Sequence, residues 1–369
     1  MLNLAHILEF NLGRNPDNLA IIFNDRKMTY RELNGAATKF ADGLRQLGIN
    51  PGDKVALMMP NVPYFPIAYY GILKAGATVV PFNVLFKGRE VAYHLKDSDA
   101  VALVGFEMFT QPAYEGFQAV DSCKNLIIAT ADPMGPLPVT GDGIKHFSHV
   151  IASGSPTFDT VQTMPDDTAV ILYTSGTTGQ PKGVVQTHGA ALRAFESWAS
   201  VVGLRSTDRY LIINPFFHAF GYKAGIVASL VAGSTMVPMT TFDVPAAMRL
   251  VAAERISVLP GPPAIYQTIL NHPNLESFDM SSLRLAVTGA AAVPVEMIHQ
   301  MRDKLGFEVI VTHDAEDLIH PDSLRWINHY MQEYDMVQVP VLPLPTPGRR
   351  LTHGVYCDEF AEFTTLRDH

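Results

Sequence analysis

The feature that most limits the fold is a series of short apolar segments separated by helical ones, starting at Lys54. Lys54–Met59, Thr78–Pro81 and Ala100–Gly105 read as strands. Tyr64–Ala75 and Glu90–Ser98 read as the helices between them, the first closed by Gly76 as a C-cap. Strand, helix, strand, helix, strand predicts an α/β fold with a doubly wound, mainly parallel sheet. From Asp167 the alternation resumes, with strands at Ala169–Tyr173, Gly183–Thr187, Tyr210–Asn214, Thr235–Pro238, Val258–Pro260 and Leu283–Thr288, and a helix over Ala190–Val202. Ahead of the first series, Leu2–Leu12 has helical spacing up to Gly13, and Ala20–Phe23 is a short strand before an Asn24-Asp25 turn. Thr29 and Glu32 form a capping-box pattern for a helix through Leu47. Residues 130–165, rich in Gly, Pro, Ser and Thr, read as a surface connection between subdomains of about 1–160 and 165–312.

Composition narrows the function. Of 369 residues, 47% are hydrophobic and 17% charged, enough for a sizeable core and against wholesale disorder. A formal net charge of −9 opposes general nucleic-acid binding, while a local pocket can still be positive. Cys123 and Cys357 show neither metal-ligand spacing nor a disulfide framework, which fits reduced thiols in the cytoplasm. The N-terminus lacks a signal-peptide pattern. The most apolar stretch, Ala224–Met239, is too short and too broken by glycine to span a bilayer. The expectation is a soluble cytoplasmic protein with at most peripheral membrane contact.

Chemistry concentrates at Tyr173–Gly183, YTSGTTGQPKG, between two strand-like runs. Gly176 and Gly179 let backbone approach a ligand, and successive N–H groups in such a loop make an anion-binding nest. Thr174, Ser175, Thr177 and Thr178 add hydroxyl donors, and Lys182 adds a point charge suited to phosphate. Pro181 stands where a Walker A loop needs glycine, so this is a different polyphosphate loop. The plain alternative is a hairpin tip of small residues.

YTSGTTGQPKG resembles, along its whole length, the phosphate-binding motif of the adenylate-forming superfamily of acyl-CoA synthetases, firefly-luciferase-type enzymes and peptide-synthetase adenylation domains. MTYRELN at Met28–Asn34, LKAGATVVPFN at Leu73–Asn83, PFFHAFG at Pro215–Gly221 and TGAAAVP at Thr288–Pro294 resemble further motifs of that family, in order. The resemblance covers about residues 1–312 and implies an acyl-CoA synthetase-like adenylation domain. It implies ATP, Mg²⁺ and coenzyme A, with a carboxylic acid, by default a fatty one, converted to an acyl-adenylate and then to a thioester. It also implies roles: Thr174 toward Mg²⁺; Ser175, Gly176, Thr177, Thr178, Gly179 and Lys182 on the phosphates; His218 near the carboxylate; and Gly289, Ala290 and Ala291 along adenine. His218, between Phe217 and Phe220, reads equally as a packed, hydrogen-bonded histidine. Gly289–Ala292 reads equally as a strand-to-helix turn, and the aromatics Phe216, Phe217, Phe220 and Tyr222 as core.

The family pattern stops after Thr312. Where the resemblance calls for an aromatic–Gly–x–Thr–Glu segment, the chain has HDAED at His313–Asp317. No later segment matches the family's ribose-binding Asp, hinge or lid Lys, so the domain is expected to be incomplete on its C-terminal side, with the C-terminal lid domain absent. HDAEDLIHPDSLRWINHY and DMVQVPVLPL instead resemble an internal piece of membrane-associated family 2 glycosyltransferases of the phage-adsorption-protein type. That resemblance implies Asp314, Glu316 and Asp317 as ligands for Mg²⁺ or Mn²⁺ and a fusion near residues 310–313. The rival reading is a solvated acidic turn before a helix that starts at Pro321.

Overall fold

The computed structural model describes residues 2–174, 180–289 and 293–312, all within the first of the chain's two units. Helix α1 (His6–Arg14) runs one residue past Gly13. Strands β1 (Leu19–Phe23) and β2 (Arg26–Thr29) form an antiparallel hairpin whose turn puts Asn24 at φ 51°. The capping box at α2 (Tyr30–Gln46) is formed, with the Thr29 N–H donating to the Glu32 carboxylate at 2.7 Å. There follow β3 (Lys54–Met58), α3 (Tyr64–Lys74), β4 (Thr78–Pro81), α4 (Gly88–Asp97), β5 (Ala100–Phe106), α5 (Thr110–Gln118), β6 (Asn125–Ala129), β7 (Ile144–His146) and α6 (Phe147–Ser153). The second series is β8 (Thr168–Thr174), β9 (Lys182–Thr187), α7 (His188–Val201), β10 (Arg209–Ile212), a π-helical segment over Phe220–Val227, α8 (Ala228–Ala232), β11 (Thr235–Pro238), α9 (Val244–Glu254), β12 (Val258–Pro260), α10 (Pro263–Leu270), β13 (Leu285–Thr288), α11 (Val295–Leu305) and β14 (Val309–Thr312).

The strands form two seven-stranded sheets, ordered β14-β13-β12-β10-β11-β1-β2 and β7-β6-β5-β3-β4-β8-β9. Pairing is parallel except in the hairpins β1–β2 and β8–β9, which bears out the expected mainly parallel α/β architecture. Both sheets are covered on both faces. In β3, Val55 and Leu57 join the central core, which also holds Leu33 and Phe40 of α2 and Phe65 and Tyr69 of α3, while Ala56 and Met58 join the layer with Val91 and Leu95 of α4. In β13, Leu285 and Val287 face that same central core, and Ala286 faces Met301 of α11. A strand alternates sides every residue, so a run that is apolar at every position is one sandwiched between two apolar layers.

Two expectations need correction. The sheets exchange strands across residues 160–165, because β1 pairs with β11 and β8 pairs with β4. Residues 130–165 are also more than a surface connection. They contain β7 and α6, and Phe147 of α6 stacks on Phe40 at 4.5 Å between ring centroids. The turn-forming residues around this short segment mask its few apolar positions when composition is averaged.

Candidate adenylation site

The hairpin β8–β9 presents the phosphate-loop motif at the carboxyl end of β8. Thr174 and Lys182 are its last cross-strand pair, and both are exposed. Directly opposed residues in an antiparallel pair project to one face, so hydroxyl and ammonium share the mouth of the loop. Gly183 lies opposite Tyr173, and a Cβ there would come within 2.8 Å of Ile171, which explains a glycine directly after the lysine. Ser175, Gly176, Thr177, Thr178 and Gly179 lie outside the described residues.

Helix α4 braces this hairpin, a role that no local signal in the sequence announced. The Tyr93 hydroxyl donates to the Pro181 carbonyl at 3.2 Å, and the Tyr173 hydroxyl donates to Asp97 Oδ2 at 2.6 Å. Burial first, then the hydrogen bond to Asp97, raises the Tyr173 pKa and keeps it a donor. His94 sits edge-on to Tyr173 at 4.5 Å, stacks on Phe86 at 4.4 Å, and places Nδ1 2.7 Å from the Glu90 carbonyl. That contact puts the proton on Nδ1. Burial lowers the His94 pKa, so the ring is a neutral wedge beneath the loop.

PFFHAFG follows β10, in the other sheet. Phe216 and Tyr222 are core residues and Phe217 and Phe220 are half-buried, so the aromatics divide between packing and lining. His218 is exposed, in contrast to the reading of a packed histidine. Its Nδ1 accepts from the Phe220 N–H at 3.3 Å, which leaves the ring proton on Nε2. Partial burial, and then the Lys223 charge, lowers its pKa, so near neutral pH it is an uncharged donor. Gly221 closes the turn against backbone, where a Cβ would overlap the Pro215 carbonyl oxygen.

Two long-range contacts hold the histidine segment, one from the end of β3 and one from the hairpin. Asn61, buried after β3, donates to the Ile212 and Asn214 carbonyls at 3.2 and 3.0 Å and accepts from the Phe216 N–H at 2.7 Å. Tyr222 donates to Gln186 of β9 at 2.8 Å. Both positioning residues went unnoticed in the sequence, where a single polar residue between apolar runs carries no signal of its partner. Gly289 lies directly after β13, at the carboxyl ends of parallel strands where ligands of such sheets bind. Beside it the buried Thr288 hydroxyl has no partner among the described residues. Ala290 and Ala291 lie outside the described residues, as do Asp314, Glu316 and Asp317 and the rest of the glycosyltransferase-like tail.

Among the described residues, no group of three or more His, Cys, Asp or Glu could hold a metal ion. Mg²⁺ in nucleotide sites is commonly held by one or two side chains together with the substrate phosphates.

A hydroxyl- and lysine-flanked loop on one mainly parallel sheet and a histidine turn beside the other make up the candidate site. The sequence matches the AMP-binding enzyme family over residues 8–313, and the chain belongs to that family. It is 40% identical over 302 residues to a 3-[(3aS,4S,7aS)-7a-methyl-1,5-dioxo-octahydro-1H-inden-4-yl]propanoyl:CoA ligase of Mycobacterium tuberculosis, covering 80% of this chain and 58% of that one. It is 30% identical over 329 residues to a long-chain-fatty-acid–CoA ligase of Bacillus subtilis, covering 83% of this chain and 58% of the relative. Among solved structures, the N-terminal domain of FACL13 from Mycobacterium tuberculosis superposes with a TM-score of 0.73 at 30% identity, covering 88% of this chain and 77% of that one. The chain thus spans 58% of the length of these curated relatives.

Proposed function

We propose that the chain activates a carboxylic acid with ATP and transfers the acyl group to coenzyme A. The observation that carries this reading is the β8–β9 hairpin of an AMP-binding family member, with Thr174 and Lys182 side by side at its mouth. In the reaction, a carboxylate oxygen attacks the α-phosphorus of ATP and the bond to pyrophosphate breaks. The thiolate of coenzyme A then attacks the acyl carbon and AMP leaves. Such a transfer asks the protein for positioning and charge neutralisation more than covalent chemistry. Lys182, Thr174 and the loop residues Ser175–Gly179 neutralise and hold the phosphates. Gly289 and the two alanines after it flank adenine, and His218 donates from Nε2 to the carboxylate. Mg²⁺ accompanies the nucleotide. The acid carries an apolar body, either a fatty chain or a fused-ring propanoate of the kind the ligase sharing 40% identity acts on.

The test is ATP–pyrophosphate exchange by the purified chain with and without acid. Exchange that depends on added acid is the expected outcome. A second reading, a nucleotide-binding protein without turnover, rests on the HDAED segment at His313–Asp317, which stands where the family resemblance calls for aromatic–Gly–x–Thr–Glu. ATP binding with no exchange would establish it instead.

A further inference from the structure

Among the described residues the Lys182 ammonium makes no ion pair or hydrogen bond, so its reach toward a phosphate depends on where its backbone stands. Strand β9 is the outermost of its sheet and pairs with β8 on one side. The residue before Lys182 is anchored from farther away. The half-buried Tyr93 of α4 donates its hydroxyl to the Pro181 carbonyl at 3.2 Å, across 88 residues of sequence. Among the described residues, Tyr93 is the only side chain from outside the hairpin that hydrogen-bonds the backbone between Thr174 and Val185.

The Pro181 carbonyl and the Lys182 N–H belong to one planar peptide unit, so holding the oxygen fixes the plane from which Lys182 starts. The proline ring also locks its own φ. Lys182 itself is paired across the hairpin with Thr174. The backbone is thus held on both sides of the lysine. A lysine side chain is a flexible stem carrying a compact charge, and ordering it on a phosphate costs rotamer entropy. A fixed backbone leaves the stem alone to be ordered. The Tyr93 ring meets His94 edge-on at 5.2 Å, a contact that phenylalanine would make equally, so what the hydroxyl adds is the bond to Pro181.

We infer that Tyr93 is a positioning residue for adenylation: by holding the Pro181 carbonyl, it sets the place from which Lys182 meets the phosphates of ATP. This rests on the reading of Lys182 above and deepens it, because it adds to the site a residue that lies outside the loop motif, on α4.

The full-length chain, Tyr93→Phe, Lys182→Ala and the double variant are titrated calorimetrically with ATP and Mg²⁺ and assayed for acid-dependent ATP–pyrophosphate exchange. Tyr93→Phe weakens ATP binding about five- to tenfold, the weight of one hydrogen bond, and raises the KM for ATP by that factor with kcat within about twofold. Its urea unfolding midpoint stays put, because the ring packing is kept and Pro181 is half-buried. In the Lys182→Ala background the same substitution changes ATP affinity by less than about twofold, since two residues that act as a unit are not additive. Unchanged ATP affinity in Tyr93→Phe overturns the inference, and so does a lowered unfolding midpoint with affinity kept, which makes the bond structural alone. An undiminished effect in the Lys182→Ala background overturns it too, by showing that Tyr93 does not act through the lysine. Nucleotide binding that follows the expected cycle without any exchange removes the ligase reading and leaves Tyr93 in its role. A folded chain that binds no ATP overturns both.

Discussion

The two halves of the candidate site are built in opposite ways. The β8–β9 hairpin lies at a sheet edge, with Thr174 and Lys182 exposed and the following Val184 and Val185 exposed as well. It is braced from one side by one helix, through Tyr93, His94 and Asp97. The histidine turn is anchored underneath, between the sheets. Asn61 grips three backbone groups across the β10 end, and Gly221 is pressed against the Pro215 carbonyl. One region exposes a hydroxyl and a charge at a sheet edge. The other fixes the place of an uncharged donor through buried polar contacts, where a lost partner leaves groups without hydrogen bonds. The difference separates exposed side chains from side chains held by buried polar contacts.

The sharpest break in that contrast would come from Lys182→Ala. Removing one positioned electrostatic group costs on the order of 10²–10³ in rate, so acid-dependent exchange falls by that factor while the urea unfolding midpoint stays put. A lowered midpoint would show that the exposed hairpin is as structural as the histidine turn. Asn61→Leu acts the other way round. Losing its three hydrogen bonds and leaving buried backbone groups unpaired costs about 3 kcal/mol in urea unfolding, whereas nucleotide affinity in the surviving folded fraction stays within about threefold. A neutral result would mean that the turn holds itself. Tyr173→Phe is the mildest test, removing only the bond to the exposed Asp97. It lowers stability by about 0.5–1 kcal/mol and weakens ATP binding by no more than about fivefold, read by calorimetry. A larger loss of ATP binding would make α4 part of the ligand-holding apparatus.

Much of the hairpin was legible because its information is local. YTSGTTGQPKG carries the glycines, hydroxyls and lysine close together in sequence, flanked by apolar strands, and Thr174 pairs with Lys182 within that same short stretch. The Thr29–Glu32 box and Gly76 were legible for the same reason, since each acts within a few residues of itself. PFFHAFG identified its histidine but left open whether the ring was packed, because the exposure of His218 depends on what lies across from it. Asn61 sits 155 residues before Phe216, and Tyr93 sits 88 before Pro181. No spacing rule connects such pairs. The same limit hid the assignment of β1–β2 to the sheet built by the second half of the chain.

By itself, the sequence determined the α/β alternation and the chemical content of the Tyr173–Gly183 segment, since hydrophobic periodicity and backbone freedom act over a turn or a strand. Tertiary structure alone decided which strands share a sheet, which aromatics are buried, and that His218 stands exposed. Those outcomes follow from the packing of two sheets around one core, where the partners that satisfy or strand a polar group come from distant parts of the chain.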